Sequence, residues 1–318
     1  MSLEIGIEKL RAGEVVAMPT ETVYGLAGRI DREETLTRIF QIKQRPFFDP
    51  LIVHLPPTWD LKSVAQEISE PLQILIRKFW PGPLTIVTPK TDAISSLITS
   101  GLPTVALRVP AHPVAKEILA KLGVPLAAPS ANMFGKTSPT LAGHVVKEFG
   151  DKVSVVDGGP CEVGLESTVV SADLREGKWV IHILRPGGVG REEIDQTLRE
   201  SGLKYVVQRS ASVASPGHLE HHYQPTSPVV IAPATWSESQ ILAAFQERTG
   251  QKSKCINKIR LSSQPELAAR SLYQQMRESS EPDALIVFEY REDFSSPAWE
   301  AIWDRVVRSS TVDFCPIT

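Results

Sequence analysis

The chain reads as an α/β protein in two parts, and three observations carry that expectation. Apolar stripes at helical spacing alternate along the chain with short apolar runs of strand length. Many strand runs end at proline or glycine, with irregular connections between them, which fits a mixed twisted sheet with helices better than a strict strand–helix repeat. Past residue 228 the pattern becomes regular, strand–helix three times over, the signature of a small parallel sheet. The expected organisation is a first domain over 1–205, an irregular linker over 206–227 and a small parallel βαβαβα domain over 228–318.

In chain order, Leu3, Ile7 and Leu10 predict a helix stopped by Gly13, and Val15 to Met18 predict a short buried strand ending at Pro19. Residues 33–43 open with acids and place Leu36, Ile39 and Phe40 on one helical face. A strand over 51–55 and a helix over 71–80, closed by Pro81-Gly82-Pro83, come next. Strands are expected at 84–89 and 105–110, and helices at 113–122 and 140–149, the latter with Ser138 or Thr140 as its N-cap. Strands at 153–157, 167–172 and 179–184 and a polar helix at 191–200 complete the first part. Residues 206–227 are rich in Ser, Pro and His without amphipathic period, so they read as a linker or functional loop. Strands at 229–233, 255–261 and 284–290 then alternate with helices at 237–248, 265–277 and 297–309.

Composition excludes several classes. The 318 residues are 42% hydrophobic and 22% charged, with a net charge of −3, unlike a disordered chain. Residues 1–205 net −1 and residues 206–318 net −2, so neither part is a basic arm, and a strong sequence-independent hold on RNA is not expected. Cys161, Cys255 and Cys315 are too few and too scattered for a disulfide framework or a zinc site, which favours a reducing, cytoplasmic setting. No stretch of about 18 apolar residues is present, so no membrane helix is expected.

Some apparent motifs fail. Gly135-Lys136-Thr137 resembles the end of a phosphate-binding P-loop, but the glycine needed five residues earlier is Ser130, and no G-x-G-x-x-G occurs. His218, His221 and His222 lack a companion carboxylate or cysteine at ligand spacing, so no metal site is assigned. Other segments place polar residues at strand exits. Thr20, Glu21 and Thr22 follow a buried strand, and Ser130 and Asn132 follow another. Lys43 and Arg45 end a helix, either as cations suited to its dipole or as a point charge and a planar fork for a polyphosphate. His54 lies in an apolar strand, where a satisfied core histidine is the ordinary reading. Arg108 stands alone in VALRVP and needs a partner, a structural carboxylate or a ligand carboxylate.

The ordered segments PTETVYGLAG, KQRP with DPLIVH, FWPGPLTIV, LPTVALRVP, APSAN with GKTSPT, GLESTVV and LRPG resemble the YrdC-like domain of L-threonylcarbamoyladenylate synthases over about residues 5–200. His222-Tyr223, the βαβαβα tail and AIWDRVVRS resemble the long form of that family, in which a small Rossmann-like domain follows the catalytic one. The resemblance implies a nucleotidyltransferase that joins L-threonine, bicarbonate or CO2 and ATP into threonylcarbamoyl-AMP and pyrophosphate. A partner transferase complex then modifies tRNA beside the anticodon. It implies that Lys43, Arg45, Ser130 and Asn132 hold the nucleotide phosphates, and that Asp49, Thr104, Ser138, Arg185 and Tyr223 complete the ATP site. Thr22, His54, Arg108, the backbone at Ala128, and Ser167 or Thr168 would hold threonine. Mg2+ would arrive with ATP, held by phosphates and water.

Where the family usually has asparagine, this chain has Asp49, whose charge repels phosphate unless Mg2+ or Lys43 neutralises it. The linker, with Tyr223, is expected to act as a lid that keeps water from the mixed anhydride. Two other readings fit the same fold: an RNA-binding module, and a carbamoyltransferase that forms another carbamoyl-adenylate.

Overall fold

A computed structural model describes residues 1–210 and 222–315. The chain divides into two compact units, Met1–Phe134 with Pro139–His218, and Gly135–Ser138 with Leu219–Thr318. Among the described residues no helix is long and apolar enough to cross a membrane.

The first unit runs α1 (Leu3–Arg11), β1 (Val16–Met18), β2 (Gly25–Arg29), α2 (Glu33–Lys43), β3 (Ile52–His54), α3 (Glu70–Phe79), β4 (Leu84–Pro89), α4 (Ser96–Thr99), β5 (Thr104–Arg108), α5 (Pro113–Leu122) and β6 (Leu126–Ala127). It continues with α6 (Ala142–Phe149), β7 (Ser154–Val155), β8 (Thr168–Arg175), β9 (Lys178–Arg185), α7 (Arg191–Arg199) and β10 (Tyr205–Arg209). The strands form one mixed sheet in the order β10-β9-β8-β4-β5-β3-β6-β2-β1-β7. Helix limits follow local chemistry. Ser2 accepts from the Ile5 amide at the start of α1. Pro113 opens α5, and Gly123 closes it in the left-handed region that glycine enters at least cost.

Strand alternation sorts the central strands onto two faces. Val53, Leu84, Ile86, Val105, Leu107 and Val170 point into the main core, with Leu36, Ile39 and Phe40 of α2. On the opposite face α1 and α5 cover Val16, Met18, Ala27 and Leu126. Farther along that face Ile52, Val87, Ala106 and Val169 form a small apolar floor. By the same alternation His54, Thr85, Thr104 and Arg108 stand on the floor's side, and the site is built there.

The second unit runs β11 (Val229–Pro233), α8 (Glu238–Thr249), β12 (Cys255–Ile259), α9 (Pro265–Glu278), β13 (Ala284–Tyr290), α10 (Glu300–Ser309) and β14 (Val312–Asp313), with an all-parallel sheet ordered β12-β13-β11-β14. This is the expected βαβαβα pattern with a two-residue fourth strand added.

Local readings differ from the structure at the start of the expected linker and at the cap of α6, and β2 and β14 are not among the expected strands. Residues 206–209, expected to start the linker, continue β10, which pairs in parallel with β9. Neither Ser138 nor Thr140 caps α6: Leu141 holds the N-cap position without a side-chain bond, and the Thr140 amide donates to His144 Nδ1 at 3.2 Å. The expected linker also includes 211–221, which lie outside the described residues, so His218 and His221 receive no structural account.

Candidate active site

Strands β3 and β5 run side by side in parallel, Ile52 beside Ala106 and His54 beside Arg108. Their C-terminal ends carry one polar cluster and their N-terminal ends another. At about 3.3 Å per residue, Thr104 and Arg108 are roughly 13 Å apart along β5, so the two clusters sit at opposite ends of one short face.

At the C-terminal end Arg108 is buried. Its Nη2 donates to Glu21 Oε1 at 2.6 Å, its Nη1 to Thr22 Oγ1 at 2.9 Å and its Nε to the Gly82 carbonyl at 3.2 Å. The structural carboxylate that a buried arginine demands is therefore Glu21. Burial works to raise the Glu21 carboxyl, but the attraction and hydrogen bond of Arg108 outweigh it and hold the group below the ordinary carboxylate range. Thr20 Oγ1 donates to the Val23 carbonyl at 2.6 Å, so Thr22, 2.8 Å away, donates to Thr20 while accepting from Arg108. The Thr-Glu-Thr run thus forms one hydrogen-bonded bracket around the guanidinium. His54 is buried beside it. Desolvation, with the Arg108 charge second, pushes the imidazole down to about 3, so it is neutral near pH 7. Its Nδ1 has no hydrogen-bond partner among the described residues.

At the N-terminal end Arg45 donates Nε to the Asp49 carbonyl at 3.0 Å and Nη2 to the Pro50 carbonyl at 2.8 Å. It also pairs with the Asp49 carboxylate at 2.8 Å, both side chains buried. Beside the attraction expected between Lys43 and Asp49, Arg45, four residues away, pairs directly with this carboxylate. Extending the β3–β5 register by two residues places Pro50 beside Thr104, so Thr104 belongs to this end. Lys43 Nζ donates to the Ser130 and Asn132 carbonyls, each at 2.5 Å. Burial, then the Arg45 charge, pushes the ammonium well below the usual lysine range. Lys43 is more than a helix-end cation, because it shapes the loop that bears Ser130 and Asn132. The same loop is tied by the Ala131 amide to the Tyr24 carbonyl at 2.7 Å and by the Met133 amide to Glu148 Oε1 at 3.0 Å. The Ala128 amide donates to the Ile52 carbonyl at 3.0 Å, which places Ala128 against β3.

The alternative left open between Ser167 and Thr168 meets a geometric difference. Thr168 Oγ1 turns away to the Val189 carbonyl at 2.6 Å. Ser167 Oγ lies 2.7 Å from Thr85 Oγ1 and accepts from Arg185 Nη2 at 3.2 Å. Arg185 also donates Nε and Nη2 to the Ser167 carbonyl, at 3.2 and 3.0 Å. Gly187 makes this packing feasible: a Cβ there would come within 2.3 Å of the Glu166 carbonyl oxygen.

In the second unit, Gly135–Ser138 cluster with the C-terminal residues rather than with the loop that precedes them. The Gln224 amide donates to the Gly135 carbonyl at 2.8 Å, the Thr137 amide to the Gln224 carbonyl at 3.2 Å and Thr137 Oγ1 to the Tyr223 carbonyl at 3.0 Å. Ser138 is fully buried at the end of this paired segment. The Tyr223 ring lies beneath the guanidinium carbons of Arg305 (4.9 Å) and Arg308 (5.3 Å), stacks on Tyr273 and has φ +66°. The GKTS and HYQP motifs, some 85 residues apart, are thus one local structure.

Two buried participants have no role in the sequence reading: Glu21, noted only as a polar residue at a strand exit, and Thr85. Glu21 had a usable signal, a carboxylate at a strand exit in a chain that also holds an unpaired strand arginine. Thr85 had none, since a threonine in a strand is ordinary. Among the described residues no three His, Cys, Asp or Glu side chains gather as a metal site.

Residues 8–187 match the Sua5/YciO/YrdC family, described as telomere recombination, and residues 189–311 match the threonylcarbamoyl-AMP synthase C-terminal domain. The chain is 41% identical over 246 residues to the threonylcarbamoyl-AMP synthase of Pyrococcus abyssi, covering 75% of this chain and 71% of that one. It is 39% identical over 246 residues to the Bacillus subtilis enzyme of that name, covering 76% and 70%. The crystal structure of P. abyssi Sua5 complexed with L-threonine superposes with a TM-score of 0.81 at 33% identity, covering 98% of this chain and 95% of that one. With both of its parts matched and full-length structural likeness, the chain belongs to the two-domain Sua5 family of threonylcarbamoyl-AMP synthases.

Proposed function

We propose that this chain makes threonylcarbamoyl-AMP and pyrophosphate from L-threonine, bicarbonate or CO2, and ATP presented as its magnesium complex. The observation that carries the reading is the pair of clusters at the two ends of β3 and β5. Arg108, Thr22 and His54 form an end suited to an amino acid, and Arg45, Thr104 and the Lys43-braced loop form an end suited to phosphates.

The chemistry needs no enzymic nucleophile. The neutral amine of threonine attacks CO2, forming a C–N bond and releasing a proton. A carbamate oxygen then attacks the α-phosphorus, and the bond to the β-phosphate oxygen breaks to release pyrophosphate. The protein's part is to hold the carbamate and the α-phosphate together and to place positive charge where it develops. Arg108 supplies a planar fork for the threonine carboxylate. Ser167, bonded to Arg185, stands on the floor's side and is preferred to Thr168 as the threonine contact. Lys43, Arg45, Ser130 and Asn132 form the phosphate set. Ser138 and Tyr223 are assigned to the nucleotide on family resemblance. The magnesium ion comes in with its phosphates, and Asp49, already paired with Arg45, is not assigned as its ligand. The product is read as the donor for threonylcarbamoyl modification of tRNA by a separate transferase, in a cytoplasmic setting.

The test is pyrophosphate release from ATP with threonine and bicarbonate omitted in turn. Release that requires both, together with a product that carries the threonine carbon skeleton and AMP, supports the reading. Release that is indifferent to threonine overturns it.

A further inference from the structure

Arg108 carries five N–H donors, and three are spent within the protein, on Glu21, Thr22 and Gly82. One N–H on each of Nη1 and Nη2 is left, two donors being the number that a carboxylate accepts in a bidentate pair. Which way those two donors point is set by what grips the other three. The Gly82 carbonyl and the Thr22 hydroxyl are neutral. Glu21 is the one charged partner and makes the shortest of the three contacts, 2.6 Å. It is reached across 87 residues of sequence, from the exit of β1 to the end of β5.

We propose that Glu21 is a positioning residue for the amino-acid end of the site: its carboxylate holds the Arg108 guanidinium so that the two remaining N–H groups face the carboxylate of the incoming amino acid. The inference rests on the proposed threonine site. Glu21 keeps the charge of Arg108 compensated while the site is empty, and it restricts the guanidinium to one plane. A loosely held arginine would still attract a carboxylate by charge, but would lose the directional pair. The consequence is selective, since Glu21 should govern how well the site reads a carboxylate and leave the phosphate end untouched.

The experiment compares wild type with Glu21→Gln, which keeps the shape and one hydrogen-bond acceptor while removing the charge, and with Glu21→Asp, which keeps the charge on a shorter stem. Calorimetry measures binding of L-threonine and of L-threoninamide, which lacks the carboxylate. Kinetics measure KM for threonine and for ATP, and thermal melting confirms folding. In wild type, threonine should bind well above its amide. In Glu21→Gln the threonine KM should rise about tenfold, the worth of one charge-assisted bond (about 1.4 kcal/mol). The preference over the amide should shrink by a similar factor, with the ATP KM within twofold. Glu21→Asp should recover part of the preference. An unchanged threonine-to-amide ratio in a folded Glu21→Gln protein overturns the proposal, as does an equal rise in both KM values. If Glu21→Gln fails to fold, the amide ratio in Glu21→Asp decides: a ratio equal to wild type, despite the displaced carboxylate, also overturns it. Failure of wild type to bind threonine at all would instead remove the proposed function.

Discussion

The site contains two buried arginine–carboxylate pairs at opposite ends of the same two strands, and they are built in different ways. Arg45 and Asp49 are four residues apart, and Arg45 also bonds the carbonyls of Asp49 and Pro50, so its own turn holds it. Arg108 and Glu21 meet only when the β1 exit is carried to the end of β5 by the sheet. Either pair stabilises little relative to an apolar substitute, because desolvation offsets the attraction, but removing one partner strands the other wherever no further hydrogen bonds hold it. The difference teaches where each end of the site takes its rigidity: the phosphate end from local turn geometry, the amino-acid end from tertiary assembly.

The largest expected effect is at the tertiary pair. Arg108→Met leaves Glu21 buried without its cation and should cost about 3–5 kcal/mol, measured by denaturant unfolding. Arg108→Lys keeps the charge but not the fork, and threonine affinity should fall by roughly 1–3 kcal/mol. A Met variant as stable as wild type would break the comparison.

Next is the titration of His54, the buried imidazole at the amino-acid end. Its folded value of about 3 lies below the unfolded histidine value of 6.5, so the unfolded chain binds the proton more readily between them. The stability of the neutral buried imidazole is complete above pH 6.5. It is lost on acidification toward pH 3, at up to about 1.4 kcal/mol per pH unit. His54→Gln should flatten that slope between pH 6.5 and 4. An identical slope in the variant would assign the acid sensitivity elsewhere.

Smaller still is Asp49→Asn. Arg45 keeps its two carbonyl bonds, so stability should change by about 1 kcal/mol or less. Removing the carboxylate frees the Arg45 charge for phosphate, and the ATP KM should fall several-fold while the threonine KM stays put. A rise in the ATP KM would mean that Asp49 aims Arg45 as Glu21 aims Arg108. Last, Phe47 and Phe48 lie in the turn between Arg45 and Asp49 and are 56% and 59% exposed. Phe47 packs its ring on Phe40 at 4.8 Å, whereas Phe48 is exposed, so Phe48→Ser should shift stability by no more than about 0.5 kcal/mol and leave both KM values unchanged.

The elements that were legible share one property, a periodic apolar pattern long enough to read. α2, α5 and α9 show it, and β4, β5 and β13 do so as short apolar runs. β2 was missed because Gly25 and Gly28 dilute its pattern; Gly28 is glycine because a Cβ there would press within 2.5 Å of Thr35. β14 is two residues, too short for any period, whereas β6, equally short, was legible as the apolar run before Ser130. β10 is an edge strand with one buried residue, Val207, among five, so it read as linker. In the site, polar residues at strand exits were visible one by one, and so was the need of Arg108 for a partner.

By itself the sequence determined the two-part α/β organisation, the sparse cysteines and near-neutral charge, and the ordered motifs whose resemblance names the family. These are written in composition, periodicity and local order, which survive in one dimension. Only the tertiary structure decided which carboxylate meets Arg108, that Lys43 braces the Ser130–Asn132 loop, that Ser167 and Thr168 part company, and that GKTS pairs with HYQP. Each of those choices rests on contacts between residues distant in the chain or on which face of a strand a side chain takes. Register and long-range pairing are settled by packing the whole sheet at once, so no local stretch of residues contains them.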